Sequence, residues 1–188
     1  MKEIVNDILE IGKLLYQKNF ILATDGNISA LIDNERIIIT PSGRRKEKLK
    51  EEDLVVINRE GAILSGTNRP SSEIYMHLWI YEQRPDVKAI IHAHPPHATS
   101  YSFVMPREYT PQLAETRDFV GKISFVPYRE PGSKELAKEV KEKIKNSLAL
   151  VLHKHGVIVG GTSLWDAFSR LERLEFEIKI RMMRRAFQ

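Results

Sequence analysis

Three histidines stand at the ends of two apolar segments, and their spacing favours metal chemistry. His92-Ala93-His94 closes the largely apolar run 87–91, and His155 lies much later, at the mouth of a second such run. Side chains two apart on a β-strand point to the same face, so His92 and His94 can converge on one ion. Three imidazoles can hold a zinc-class ion and leave a fourth position open for substrate. The alternative interpretation is a polar strand end, because a lone His-x-His pair is common without a metal.

A carboxylate and several turn residues accompany the histidines. Glu73 follows Ser71-Ser72 at a predicted helix start, and Gly26-Asn27 and Ser42-Gly43 occupy earlier turns. Hydroxyls and main-chain N–H groups at such positions can bind a phosphate dianion, and a carboxylate can act as acid-base. His77, four residues after Glu73 on the same helix face, is placed to orient it. Helix capping by the serines, turn formation by the glycines and a favourable charge at the helix start are the structural alternatives.

The composition narrows the class of protein. The 188 residues contain no cysteine, which excludes a disulfide framework, a thiolate metal site and a cysteine nucleophile. The 29 Lys and Arg and the 25 Asp and Glu are interspersed, which is typical of an ordinary surface and not of a nucleic-acid-binding arm. Neither a membrane-length apolar stretch nor a signal-peptide pattern occurs. We therefore expect a cytoplasmic protein without nucleic-acid or membrane partners.

Hydrophobic periodicity predicts the elements that must position these residues. The predicted helices cover residues 2–18, 70–84, 98–104 (closed by Pro106), 133–145 and a last segment from 163 onward, with Ser133 and Ser163 as caps. The predicted strands cover residues 28–32, 36–40, 54–57, 62–64, 87–94, 123–126, 148–152 and 157–159. Hairpins early in the chain and strand-helix alternation later indicate an α/β protein with a mixed sheet between helices. The length fits one domain, 1–188.

Five short motifs occur in an order that resembles a known family. They are Gly26-Asn27-Ile28-Ser29, Thr40-Pro41-Ser42-Gly43, Pro70-Ser71-Ser72-Glu73, His92-Ala93-His94 and His155-Gly156. In order and approximate spacing they resemble the class II aldolase family of the L-fuculose-1-phosphate aldolase type, within the aldolase, epimerase and adducin-head superfamily. The resemblance runs from the first helix to the last. It implies a single-domain three-layer α/β/α sandwich with a central mixed, largely antiparallel sheet.

The resemblance also implies a function, a metal-dependent aldolase that reversibly cleaves a ketose 1-phosphate to dihydroxyacetone phosphate and a short aldehyde. By position, His92, His94 and His155 would bind zinc, and Glu73 would complete the resting metal shell and act as acid-base. Imidazole ligands tolerate Co²⁺ or Mn²⁺ as well. The residues that would hold the substrate phosphate are Gly26, Asn27, Ser42, Gly43, Ser71 and Ser72. A homotetramer with active sites at subunit boundaries is expected from the family.

The match weakens where the family has its second acid-base residue. The aldolase uses a tyrosine from a neighbouring subunit, in the stretch that corresponds to residues 111–116, and Glu115 stands at the tyrosine position here. Glu115 is therefore the candidate second catalytic residue, with Tyr109 as a replacement. His153 also forms a two-apart pair with His155, which is the preferred ligand because it immediately precedes a glycine, as in the family.

Three other members of the superfamily offer alternatives. Ribulose-5-phosphate 4-epimerases place an aspartate after the paired serines, where this chain has Glu73. Methylthioribulose-1-phosphate dehydratases lack that glutamate and carry one near the position of Glu115, whereas this chain has both. The adducin head is a structural module without the metal residues, and the three histidines together with Glu73 speak against such a role.

Overall fold

The structure, a computed structural model, describes residues 1–104 and 108–185. The helices in these ranges are α1 (Lys2–Gln17), α2 (Ile74–Gln83), α3 (Pro96–Tyr101), α4 (Ala114–Val120), α5 (Lys134–Ile144) and α6 (Leu164–Arg185). The strands are β1 (Asn27–Leu31), β2 (Arg36–Ile39), β3 (Val55–Asn58), β4 (Ile63–Ser65), β5 (Ala89–Ala93), β6 (Glu108–Tyr109), β7 (Ile123–Val126), β8 (Ala149–Leu152) and β9 (Gly156–Gly161). The predicted end of the third helical segment at Pro106 lies outside the described residues.

All of these strands join one sheet in the order β4-β3-β2-β1-β5-β9-β8-β7-β6. Neighbouring strands run antiparallel, except that β7 and β8 are parallel. The predicted α/β class with a mixed, largely antiparallel sheet is confirmed. In this order β5 lies between β1 and β9, so the strand that carries His92 has the Asn27 strand on one side and the strand after His155 on the other.

Helices cover both faces of the sheet. One apolar cluster joins the sheet to α1, α3, α4 and α6, and a second joins the opposite face to α2 and α5. The alternation of strand side chains divides them between the two clusters: Ile90 packs toward α2 and α5, whereas Ile91 packs toward the other layer. The three-layer arrangement follows because both sheet faces are apolar and each needs a helical cover.

Helix α2 begins later than the sequence pattern predicts. Its N-cap is Glu73 and no side chain caps it, so the predicted capping by Ser71 or Ser72 is wrong. Residues 69–71 instead lie extended against residues 40–42: Ser71 N–H donates to the Thr40 carbonyl and Ser42 N–H donates to the Arg69 carbonyl, at 3.2 and 3.0 Å. This pairing occupies the backbone that a helix starting at Pro70 would need, and it brings two candidate phosphate turns side by side.

The predicted caps of α5 and α6 are observed. The Ser133 hydroxyl accepts from Leu136 N–H, and the Ser163 hydroxyl accepts from Asp166 N–H, each at 3.1 Å. The Asp166 carboxylate in turn accepts from the N–H of Thr162 at 2.8 Å.

Two short elements were not expected from the sequence, β6 and α4. Neither is long enough to show a hydrophobic period, so no sequence pattern predicts them. Tertiary contacts form both, since β6 pairs with β7 and Val120 of α4 packs into the cluster under α6. No helix within 1–104 and 108–185 has the length and apolar content needed to cross a lipid bilayer.

Candidate metal centre and phosphate cavity

The three histidines singled out by the sequence meet at one end of the sheet. His92 is on β5, His94 follows the last residue of β5, and His155 lies in the turn between β8 and β9. One ligand atom from each lies within 4.8 Å of the others, and the Nε2 atoms of His92 and His94 are 3.1 Å apart. His153, the alternative ligand, is not a member of this group; its ring packs edge-on against Phe103.

Two glycines allow the strands to approach closely enough for this convergence. A Cβ at Gly156 would lie 2.4 Å from both the Ala93 carbonyl oxygen and the His94 ring. Gly26 has a φ of +71°, and a Cβ there would lie 2.8 Å from the carbonyl oxygen of His92. The glycines therefore bring the backbone beside His155 and the turn before Asn27 against the end of β5.

Two of the three histidines, His94 and His155, are in the neutral form that binds a cation. Burial lowers the pKa of His94 to about 4 and that of His155 to about 3, so both imidazoles are neutral at pH 7. His92 donates from Nδ1 to the Val157 carbonyl oxygen at 2.8 Å, which leaves its Nε2 toward the other two rings. Backbone hydrogen bonds of this kind orient metal-binding histidines.

Glu73 lies directly beside the imidazoles. Its Oε2 is 3.0 Å from Nε2 of His92, and its Oε1 is 3.4 Å from Nε2 of His155. Burial by itself raises the pKa of Glu73, but the charge and hydrogen bond of His92 outweigh burial, and the net pKa lies well below that of an ordinary glutamate. Burial by itself lowers the pKa of His92, but the charge and hydrogen bond of Glu73 raise it, and the net pKa of His92 is raised. A divalent cation bound to these groups would replace that proton.

The remaining polar atoms of the group fit a divalent cation. Nδ1 of His155 and Oε1 of Glu73 are buried, and neither has a hydrogen-bond partner. Three imidazoles and an adjacent carboxylate, with no thiolate in the chain, form a ligand set suited to zinc, cobalt or manganese. The donor set therefore fits the metal that the sequence predicts.

A buried hydrogen-bonded chain supports Glu73 from behind. Asn27 donates from Nδ2 to Oε2 of Glu73 at 3.0 Å, and Nε2–H of His77 donates to Oδ1 of Asn27 at 2.5 Å. Nδ1 of His77 then accepts from the Ser29 hydroxyl at 2.7 Å, which in turn accepts from the Tyr81 hydroxyl at 2.8 Å. Burial lowers the pKa of His77 to about 3, so the ring stays neutral and both nitrogens have fixed roles.

The candidate phosphate residues line one cavity of about 460 Å³ that also reaches Glu73, His94 and His155. The six residues found there are Gly26, Asn27, Ser42, Gly43, Ser71 and Ser72. Ser42, Gly43 and Ser72 are exposed to solvent, whereas the Asn27 side chain is buried and already bound at both ends. The structure thus places the turn residues, His94 and His155 around a common space of a size suited to a small phosphorylated molecule.

Besides Asp25, sequence reasoning missed one more charged residue of this cavity, Lys46. Its side chain is 2% exposed, and Nζ donates to the carbonyl oxygens of Thr24 and Arg44 at 2.7 and 2.8 Å. In the sequence Lys46 belongs to the charged stretch 44–53, which is typical of a solvated surface, so no local signal distinguished it.

Glu115 and Tyr109 lie elsewhere in the chain. Glu115 lines a separate groove of about 940 Å³ between α1, α3, α4 and α6. Tyr109 is buried, and its hydroxyl donates to the carboxylate of Glu177. Within one chain, neither residue shares the cavity of Glu73.

Comparisons with known proteins agree on a family. A family model described as class II aldolase and adducin N-terminal domain matches residues 6–182. An L-fuculose phosphate aldolase from Methanococcus vannielii is 35% identical, over 91% of this chain and 91% of that protein. A 3-oxo-tetronate 4-phosphate decarboxylase from Haemophilus influenzae is 32% identical, over 92% of this chain and 84% of that protein. A solved structure of an L-fuculose 1-phosphate aldolase is similar with a TM-score of 0.91 at 31% identity, covering 100% of this chain and 88% of that one.

Proposed function

Since the chain belongs to the class II aldolase and adducin N-terminal domain family, we propose that it is a metal-dependent aldolase acting on a ketose 1-phosphate. The reaction reversibly yields dihydroxyacetone phosphate and a short aldehyde. The observation that carries the proposal is the contact of the Glu73 carboxylate with two of the three clustered imidazoles, in a cavity lined by the candidate phosphate turns.

The three histidines would hold one divalent ion per subunit, with zinc as the first candidate and cobalt or manganese as alternatives. When bound, such an ion supplies Lewis-acid stabilisation of the negative charge that develops on the substrate carbonyl oxygen. Glu73, beside His92 and His155, is placed to complete the ligand set before substrate arrives.

Glu73 is the group that we assign to proton transfer. Aldol cleavage breaks the bond between the carbon next to the ketone and the hydroxyl-bearing carbon beyond it. The electron pair stays on the carbon next to the ketone, in the triose fragment, and that carbon then takes up a proton. A carboxylate freed by the incoming substrate can carry this proton in either direction. Asn27 holds one Glu73 oxygen in place while the proton moves at the carboxylate.

The phosphate of the substrate would lie against the turn residues that line the cavity. Ser42, Gly43 and Ser72 are open to solvent there, and the pairing of residues 40–42 with 69–71 holds two of the turns in a fixed relation. Main-chain N–H groups and hydroxyls in such an arrangement bind a dianion with little rearrangement.

A decarboxylase is the second candidate function. The relative from Haemophilus influenzae is named 3-oxo-tetronate 4-phosphate decarboxylase. Loss of carbon dioxide from such a 3-oxo acid leaves the electron pair on the carbon next to the ketone, as aldol cleavage does, so the same proton delivery is needed. Aldol cleavage additionally removes a proton from the hydroxyl of the departing fragment. Among the described residues, the other titratable side chains that line the cavity with Glu73 are Asp25, Lys46, His94 and His155.

A substrate panel tests the two candidates. Zinc-loaded protein is incubated with the 1-phosphates of fuculose, ribulose, fructose and methylthioribulose and with 3-oxo-tetronate 4-phosphate, and triose phosphate, aldehyde and carbon dioxide are measured. Triose phosphate with aldehyde is the expected result, whereas triose phosphate with carbon dioxide from the 3-oxo acid alone would favour the decarboxylase. Water loss without triose would contradict both. Chelated protein is the control and should lose turnover, with recovery when the metal is returned.

A further inference from the structure

Lys46 links the two turns in which most of the candidate phosphate residues occur. Its ammonium donates to the carbonyl of Thr24, two residues before Gly26, and to the carbonyl of Arg44, the residue after Gly43. One charged group therefore connects two chain segments that are about twenty residues apart in the sequence.

The cavity also contains negative charge that opposes the binding of a phosphate. Among the described residues that line it, Lys46 is the only lysine or arginine, whereas Asp25 and Glu73 contribute carboxylates. A phosphate dianion that enters this space meets those carboxylates unless positive charge is present. An ammonium has three N–H donors, and two of those of Lys46 are accounted for by the carbonyls.

The burial of the charged Lys46 side chain at this position opposes folding. Helix α1 lies against it so closely that a Cβ on Gly12 would be 2.7 Å from the Lys46 carbonyl oxygen. Burial lowers the pKa of Lys46 to about 8, although Asp25 and Glu47 oppose the change. An apolar side chain would fill the same space without the desolvation of a charge, but it would leave the carbonyls of Thr24 and Arg44 without this donor. The lysine therefore serves through its charge and its hydrogen bonds and not through packing.

We propose that Lys46 is the residue that makes the cavity specific for phosphorylated substrates, by holding the two turns together and by supplying positive charge at their junction. The proposal rests on the proposed function for the identity of the sugar phosphate. The binding of phosphate itself can be tested without turnover.

The first test replaces the charge with an isosteric apolar side chain. Lys46→Met is compared with Lys48→Met, which removes an exposed lysine from the same segment. We expect inorganic phosphate, titrated into metal-free protein, to bind at least about tenfold more weakly to Lys46→Met and unchanged to Lys48→Met. In turnover assays, kcat/KM for a ketose 1-phosphate should fall by a similar factor, and by more than kcat/KM for the unphosphorylated ketose.

The second test restores the ammonium. Because the chain has no cysteine, Lys46→Cys provides a single thiol, and alkylation of the unfolded chain with 2-bromoethylamine followed by refolding returns an amine at the same distance. Phosphate affinity should recover in this protein, and Lys48→Cys treated identically should match the wild type throughout.

Wild-type phosphate affinity in Lys46→Met, or no recovery in a refolded alkylated Lys46→Cys with native circular dichroism, would overturn the assignment. Failure of every ketose phosphate to turn over, with phosphate binding still dependent on Lys46, would instead contradict the proposed function and leave the assignment of Lys46 intact.

Discussion

At the residue scale, the properties of Glu73 come from its neighbours. As the N-cap residue of α2, Glu73 makes no side-chain capping bond, and His92, His155 and Asn27 surround its carboxylate. The same side chain on the exposed face of α2 would be an ordinary glutamate.

Glu73→Gln tests whether the carboxylate does chemistry or only binds metal. We expect turnover to fall by at least about a hundredfold, because the amide cannot carry the proton, while zinc still binds through the imidazoles. Steady-state kinetics and metal analysis by mass spectrometry report the two properties separately. Glu82→Gln, on the exposed part of the same helix, serves as the control. Near-normal turnover in Glu73→Gln would remove Glu73 from the mechanism.

His77 gives the metal-free protein a defined pH dependence. Its pKa is about 3 in the folded chain, against about 6.5 for an unperturbed histidine, because the ring is fully buried. Between these values the unfolded chain binds a proton that the folded chain does not, so stability is lost as the pH falls below about 6.5. We expect His77 to contribute a slope of roughly 1.4 kcal/mol per pH unit over that window.

The comparison that isolates this contribution is His77→Gln. Glutamine can still donate to Asn27 and accept from Ser29, but it does not titrate. Urea unfolding at several pH values between about 4 and 7 should show a shallower decline for the variant. His94 and His155 are present in both proteins, so their contribution to the pH dependence is common to both curves. Equal slopes for the wild type and His77→Gln would therefore show that His77 is protonated alike in the folded and unfolded chains, which would contradict the prediction.

At the element scale, the site depends on how closely β9 approaches the end of β5. Gly156→Ala introduces a Cβ 2.4 Å from the Ala93 carbonyl oxygen, a contact that only a shift of the strand can relieve. The shift moves His155 away from His92 and His94, so we expect zinc affinity to fall by on the order of tenfold or more. A competition titration with a zinc indicator measures the zinc affinity.

Gly160→Ala is the matched control for this change, because the nearest neighbours of the added Cβ on β9 are side-chain atoms of Val87 and Leu148, at 3.1 to 3.5 Å, and not backbone. It should reduce stability without altering zinc affinity. Equal loss of affinity in both variants would show that general strand damage, and not the approach at Gly156, is responsible.

Helix α6 positions two chain segments through buried carboxylates. Glu175 accepts from the N–H groups of His97 and Ala98 at the start of α3, directly after the metal-binding segment. Glu177 accepts from the N–H groups of Gln112 and Leu113 at the start of α4, which carries Glu115. The two segments flank a groove built on α6, so the placement of Glu115 depends on this helix.

At the scale of the whole molecule, the separation of Glu73 and Glu115 becomes informative. They line different cavities of one chain, so a catalytic Glu115 must act in the site of a neighbouring subunit. This agrees with the predicted homotetramer with intersubunit active sites, which stays a prediction.

Mixed subunits test that arrangement. Glu73→Gln and Glu115→Gln are each expected to lower turnover by about a hundredfold or more, if both residues transfer protons. After the two variants are unfolded together and refolded, some sites combine an intact Glu73 with an intact Glu115, and activity should exceed that of either parent. Light scattering establishes the tetramer. Absence of recovery in mixed tetramers, or full activity of Glu115→Gln, would exclude an intersubunit role for Glu115.

The sequence by itself determined the α/β class, most element positions and the identity of the clustered histidines. Strand and helix periods are local, so β1, β2, β7 and α5 could be read from short windows. Tertiary structure alone decided the late start of α2, since residues 69–71 pair with a segment far away in the chain. It also decided the burial of Lys46 and the separation of Glu115 from Glu73, because a side chain's neighbours across the sheet have no local signature.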